Sequence, residues 1–232
     1  MKKIRVAQCW DDGCATDIRL IEILKKHNAK ATFNLCPGIH PAERIDPCFL
    51  PFDHRGWSHR NFSGGRCALK ELRQIYGDFQ VASHCWKHEN AVVPGMTCEV
   101  FLEAAVKART YLEDVFEKEC RGFVWPCGGT TPETAKALEE AGFLYGRTTR
   151  NAAAGELFMD GPLLMRSSCH FLDGGFMLKL DECLEKGEDF YFWGHTYEMF
   201  LYDHLWNLTE KRIEYISNHP DMEWVDVKDL VK

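Results

Sequence analysis

The chain has 232 residues, 45% of them hydrophobic, and 28 Lys and Arg against 35 Asp and Glu leave a formal net charge of -7. That apolar content is ordinary for a folded soluble protein. The acidic balance, with no block of basic residues, argues against a nucleic-acid partner and makes a polyanionic substrate a poor fit, although it leaves room for a local basic pocket.

No Pro/Ser-rich linker, low-complexity tract or internal repeat divides the sequence, so residues 1–232 read as one domain. The eleven cysteines are scattered singly, without a Cys-x-x-Cys. An odd, dispersed set would mispair in an oxidising compartment, so reduced thiols in the cytoplasm are expected. Met1-Lys2-Lys3 runs directly into Ile4-Arg5-Val6-Ala7 without the apolar stretch of a signal peptide. No segment is long and apolar enough for a membrane span, so no membrane partner is expected.

In chain order, the first apolar strand pattern ends in Trp10-Asp11-Asp12-Gly13. Asp17 can then cap a helix through His27, with Ile18, Ile21 and Leu24 at helical spacing. A strand, Ala31 to Leu35, follows. The stretch from Cys36 to Gly65 breaks the alternation with Pro37, Pro41, Pro47 and Pro51, then His54, Trp57, His59 and Gly64-Gly65. A long loop there would overhang the end of the second strand, where such loops are commonly functional. Trp57 is a candidate for stacking on a sugar ring, its alternative being a core aromatic, and His54 and His59 read as surface groups.

A further strand pattern ends in Ser83-His84-Cys85-Trp86-Lys87-His88, and Thr97 begins an amphipathic helix through Phe116 with Phe101, Ala105, Ala108 and Leu112 on one side. Thr131-Pro132 supplies a cap and a first-turn proline, and Ala141-Gly142 stops that helix. Strand patterns at Gly122 to Trp125, Leu144 to Thr148, Leu163 to Ser167 and Phe190 to Gly194 alternate with helices or loops. Asp203 to Asn218 is a last long helix, and Met222 to Val225 a final strand. Repeated βα units predict an α/β protein with a parallel sheet.

Asp-Asp-Gly alone is a common turn sequence, and a lone His-x-x-x-His is weak. Their conjunction is stronger, because each directly follows a strand pattern, where α/β proteins gather their chemistry. Adjacent Asp at a strand end face opposite ways, so one can hold a metal while its neighbour stays free as a base. His84 and His88 can close on one ion if the segment between them turns like a helix. The residues read as a mononuclear metallohydrolase.

These residues resemble the polysaccharide deacetylases, the NodB-homology or carbohydrate esterase family four. Cys9-Trp10-Asp11-Asp12-Gly13 is similar to the family's Thr-Phe-Asp-Asp-Gly, and His84-Cys85-Trp86-Lys87-His88 to its His-Ser/Thr-x-x-His. Ala31-Thr32-Phe33-Asn34 resembles the second strand. Trp125-Pro126-Cys127-Gly128 resembles the third motif's Pro-Pro-Tyr-Gly, and Trp193-Gly194-His195 the late strand with the catalytic His. The resemblance implies a distorted (β/α) barrel of about seven strands. It also implies Asp11 as general base, Asp12, His84 and His88 as ligands of a divalent ion, and His195 as general acid. Such ligands suit zinc, cobalt, nickel or iron.

One departure is Val124, which stands where the family usually carries an Arg that pairs with the base. Arg147 and Arg166, on neighbouring strand patterns, could reach the same site; Arg147 is the one expected to support it, and Arg166 reads as a solvated or ion-paired group. Arg147-Thr148, Cys169-His170 and Gly194-His195-Thr196-Tyr197-Glu198 resemble a subgroup, so Val124 can mark a branch of the family. His170 ends a strand pattern and is a site candidate, the alternative being a core histidine. Trp86 and Trp193 flank the proposed ligands and could wall the pocket. The expected activity is metal-dependent removal of N- or O-linked acetyl groups from a carbohydrate, with a small acetylated saccharide as substrate. The alternatives are amide hydrolysis on a non-sugar ring, or a silent barrel that binds metal and sugar.

Overall fold

A computed structural model describes residues 3–55 and 58–231. In chain order its elements are β1 (Ile4–Asp11), α1 (Asp17–Lys26), β2 (Thr32–Leu35), β3 (Cys48–Phe49), β4 (Phe62–Ser63), α2 (Leu72–Tyr76), β5 (Gln80–Ser83), α3 (Cys98–Phe116) and β6 (Gly122–Val124). There follow α4 (Pro132–Glu140), β7 (Tyr145–Asn151), β8 (Met165–Ser167), β9 (Cys169–His170), α5 (Phe176–Lys186), β10 (Phe190–Gly194), α6 (Asp203–Asn218), β11 (Met222–Trp224) and α7 (Val227–Leu230).

The main sheet runs β8-β7-β6-β5-β2-β1-β10-β9, and every pairing in it is parallel. Its two edge strands are one piece of chain. Only Ser168 separates β8 from β9, and it is fastened to β10 by its amide donating to Tyr191 O at 2.7 Å and its hydroxyl accepting from Tyr191 N at 3.0 Å. The segment from Met165 to His170 therefore touches both ends of the sheet and closes it into the expected distorted (β/α) barrel. β11 pairs with the start of β1, alongside Ile4 to Val6, before β2 takes up pairing at Cys9.

Strand alternation then decides what faces inward. Val6 and Trp10 of β1 pack outward with α1, α5 and α6 in the largest apolar cluster, together with Phe33, Phe171 and Phe192. Ala7 and Cys9 point the other way, packing with Ala82, Tyr145, Met165 and Tyr191 inside the barrel. Small residues on β1 and β5 thus make space for the two tyrosines. Continuing the period by one step puts Asp11 at the carboxyl mouth of the barrel. The same step on β2, β7 and β10 brings up Asn34, Arg147 and Trp193.

Thr97 caps α3 by accepting from Val100 N at 3.2 Å, and Thr131 caps α4 in a reciprocal pair with Thr134. Two expectations need correcting. The residue before α1 is Thr16, and Asp17 does not cap; its carboxylate is buried and accepts from Tyr76 Oη at 2.8 Å and from Thr196 Oγ1. Leu163 and Leu164 belong to a single 3-10 turn, Pro162–Leu164, so that strand starts at Met165.

Candidate active site

The barrel mouth holds a cavity of about 470 Å³ lined by Asp11, Asp12, Ile39, Arg66, His84, His88, Trp125, Cys127, Arg147, Thr149, Trp193, His195 and Tyr197. Its floor is Asp11, only 2% exposed. The β1–β2 register sets Asp11 beside Asn34, whose Nδ2 donates to Asp11 Oδ1 at 2.6 Å, and Arg147 Nη2 donates to Asp11 Oδ2. Burial by itself pushes a carboxyl pKa up; here Arg147, His84, His195 and the Asn34 amide outweigh it and hold Asp11 well below the usual carboxylate range. Arg147 is itself 1% exposed, and its guanidinium lies 4.2 Å from the centre of the Trp193 ring.

Asp12 adopts a left-handed backbone at φ 80, which turns its carboxylate away from that of Asp11. Its Oδ1 lies 3.6 Å from His84 Nε2 and 3.8 Å from His88 Nε2. His84 Nδ1–H donates to Val124 O at 2.8 Å, which leaves the Nε2 lone pair facing Asp12. Burial lowers the His84 pKa to about 4, so the ring is neutral and able to act as a ligand. The two imidazoles converge without a helical turn between them: Cys85 at φ 65 and His88 at φ 63 fold the segment back, and Trp86 O accepts from Gly38 N at 2.7 Å. The expected helix-like closure of His-x-x-x-His is replaced by two left-handed residues, a costly backbone of the kind that gathers at functional sites.

His195 stands on the opposite wall, its Nε2 3.9 Å from Asp11 Oδ2. Its Nδ1 is 3.3 Å from Glu198 Oε2, an oxygen that also receives His170 Nε2 at 3.0 Å and the His195 amide at 3.2 Å. Leu172 N donates to His170 Nδ1, so the His170 proton sits on Nε2. Burial opposes charge on both partners, yet the contacts prevail: the Glu198 pKa falls to about 2 and that of His195 rises above the ordinary histidine value. His170, Glu198 and His195 also form a second group of potential ligand atoms, all within 4.8 Å of one another; their hydrogen bonds already account for it.

Trp125 is buried, stacked on Phe101, with its Nε1 donating to Leu163 O at 2.8 Å. Pro126 is buried in the next turn, and Cys127, at φ 54, brings an exposed thiol to the cavity rim. Gly128 is required there: at φ 70, an added Cβ would meet Thr149 Oγ1 at 2.3 Å. Other candidates stand elsewhere. Arg166 pairs with Asp160 at 2.7 Å instead of Asp11, and Trp86 packs on Tyr111 outside the cavity. His54 is exposed, and the His59 ring lies 5.6 Å from that of Tyr197. Trp57 lies outside the described residues. Asn34, Glu198 and Arg66 had no site role in the sequence reading. A polar residue ending an apolar strand points to Asn34, and the three-residue step from His195 points to Glu198, but nothing local distinguishes Arg66.

The polysaccharide deacetylase family model matches residues 1–146, and the chain belongs to that family. No curated protein sequence matches it. Among solved structures, a protein from Mycobacterium smegmatis assigned to the polysaccharide deacetylases superposes with a TM-score of 0.66 at 16% identity, over 99% of this chain and 89% of that one. A Streptococcus pyogenes deacetylase in complex with acetate gives 0.53 at 18% identity over 68% of this chain, which spans 61% of that chain's length. A family-four pseudoenzyme from Bacillus anthracis gives 0.56 at 14% identity, over 100% of this chain and 66% of that one. At such identities the likeness is one of fold.

Proposed function

We propose that this protein is a divalent-metal-dependent hydrolase that removes N- or O-linked acetyl groups from a short, soluble saccharide. The observation that carries this reading is the convergence of Asp12, His84 and His88, with ligand atoms within 4.8 Å of one another, beside a buried carboxylate that belongs to a different hydrogen-bond set. The donors fit such an ion: one carboxylate oxygen and two imidazole Nε2 atoms, one of them fixed in tautomer by Val124 O. The same chemistry suits zinc, cobalt, nickel or iron. When bound, the ion would act as Lewis acid toward the acetyl carbonyl and lower the pKa of attacking water.

The chain's own residues divide the proton work. Asp11, kept ionised by Arg147 and aimed by Asn34, takes a proton from the attacking water. His195, protonated and oriented by Glu198, gives one to the departing amine or alcohol. The ion pair Asp11–Arg147 weighs against a silent barrel, because binding a metal and a sugar needs neither member. Trp125, Trp193 and Tyr197 line the cavity, and its volume of about 470 Å³ matches a small ligand. The segment after β2 adds Ile39 and Arg66 to one wall, which favours short substrates over a threaded polymer. All eleven cysteines are free thiols, in keeping with a cytoplasmic setting, and no helix among the described residues is long and apolar enough to cross a membrane.

Elemental analysis of purified protein is the direct test. About one divalent ion per chain is expected, with Asp12→Ala, His84→Ala and His88→Ala each weakening its retention by about tenfold or more. Unchanged metal content in all three variants would remove the reading. Acetate release should be faster from acetylated mono- and oligosaccharides than from chitin, xylan or peptidoglycan; release that rises with chain length would refute the short-substrate part.

A further inference from the structure

We propose that Arg66 binds an anionic substituent, a carboxylate or a phosphate, on the saccharide whose acetyl group lies against Asp11 and Asp12; this rests on the reading of the cavity as a deacetylase site. The cavity wall contains two guanidinium groups, and they are differently engaged. Arg147 is paired with Asp11. Arg66 has no carboxylate within 4.0 Å among the described residues. Its Nη1 donates to Asp12 O at 2.8 Å and to Cys14 Sγ at 3.0 Å, while Nη2 and Nε make no hydrogen bond among the described residues and the side chain lines the cavity.

The group is held in place. The Arg66 backbone is bridged to Ile45 in both directions, at 2.8 and 3.0 Å, and Gly65 before it has φ 65, with room for no Cβ beside Ile45 O. A half-buried cation with a fixed backbone and two open N–H groups is an anion receptor of the fork type. Support of the left-handed Asp12 through its carbonyl uses Nη1 alone, so a structural role leaves the open N–H groups unexplained. The overall charge of -7 opposes long polyanions, which narrows the ligand to a small saccharide with a single acidic group.

Binding to the metal-bearing protein can be read by tryptophan fluorescence, since Trp125 and Trp193 line the cavity. The probes are N-acetylglucosamine, its 6-phosphate and its 3-O-lactyl ether, at millimolar concentration over micromolar protein in the first seconds after mixing, before turnover alters the ligand. At least one anionic probe should bind about ten- to a hundredfold more tightly than the neutral sugar, with the preference shrinking as salt is added. Which anionic probe binds distinguishes phosphate from carboxylate. Arg66→Gln should abolish the preference and spare the neutral sugar, and Arg66→Lys should keep part of it. Equal affinity for all three probes, or a preference that survives Arg66→Gln, would overturn the proposal. Should Arg66→Gln lose its fold or its metal, Arg66→Lys and the salt titration decide, and a salt-independent preference counts against Arg66. Affinity is read without turnover, so an intact anion preference with no acetate release would sink only the deacetylase reading.

Discussion

At the scale of single residues, the pair Asp11–Arg147 decides how the site behaves with pH. Both groups are desolvated, and removing one partner of such a pair leaves an uncompensated buried charge, at a cost of about 3–5 kcal/mol. Arg147→Met should therefore lower stability and also release the Asp11 pKa upward, since burial persists while the opposing cation is gone. A base is lost as pH falls through its pKa. In the unaltered protein Asp11 is ionised across the ordinary assay range, so under the proposed mechanism the acid limb of kcat/KM lies below it; in Arg147→Met that limb should move up into the measured range. Arg147→Lys should fall between, having the charge but neither the fork nor the stacking on Trp193. An acid limb that stays put in Arg147→Met would show that Asp11 is tuned by something else. Asp11, Asp12, His84 and His195 were legible in the sequence because each terminates a strand pattern inside a recognisable string. Arg147 was favoured over Arg166 from its place at a strand end, but its pairing with Asp11 depends on which strand end reaches across the barrel.

At the scale of elements, strand register explains how the site carries an arginine without the residue usual in the family. Val124 and Arg147 are direct partners in the parallel β6–β7 ladder, so their side chains leave the sheet on the same face toward Asp11. Moving the guanidinium one strand sideways keeps it on the same carboxylate. Arg147→Val alone should reduce kcat/KM by about a hundredfold. The double variant Val124→Arg/Arg147→Val should recover a measurable part of that loss, while Val124→Arg alone should lower Tm by crowding two cations at the barrel mouth. No recovery in the double variant would mean that register alone does not make the two positions equivalent. The strand and helix pattern itself was largely legible: β10 and α6 have the expected bounds, and α3 and α4 start at the expected caps. Turn chemistry misled in two places. The His84 to His88 segment carries neither Gly nor Pro to announce its left-handed residues, and Asp17 looks like a cap in a sequence although the fold buries it against residues that only the closed barrel brings near.

At the scale of the whole molecule, Asp17 ties together parts of the chain that are remote in sequence. Its carboxylate accepts from Tyr76 at the end of α2 and from Thr196 in the turn after β10, and Thr196 in turn meets Thr16 Oγ1 at 2.7 Å. The turn so fastened is the one that carries His195. Burial raises the Asp17 pKa to about 7, against the two hydroxyl donors that favour its charged form. The folded-state pKa thus lies above the unfolded one, so the contribution to stability is complete below about pH 4 and is lost as pH rises through about 7. His195 works in the same direction, its pKa being raised as well, so a fall of Tm toward alkaline pH is not by itself diagnostic. Asp17→Asn separates the two, because it keeps the size and an acceptor but removes the ionisation. Between pH 5.5 and 8.5 the unaltered protein should lose several degrees of Tm more than Asp17→Asn, at about 2–4 °C per kcal/mol for a chain of this length. Parallel Tm profiles for the two proteins would show that Asp17 does not titrate in this window and that the loss belongs to His195 or another group.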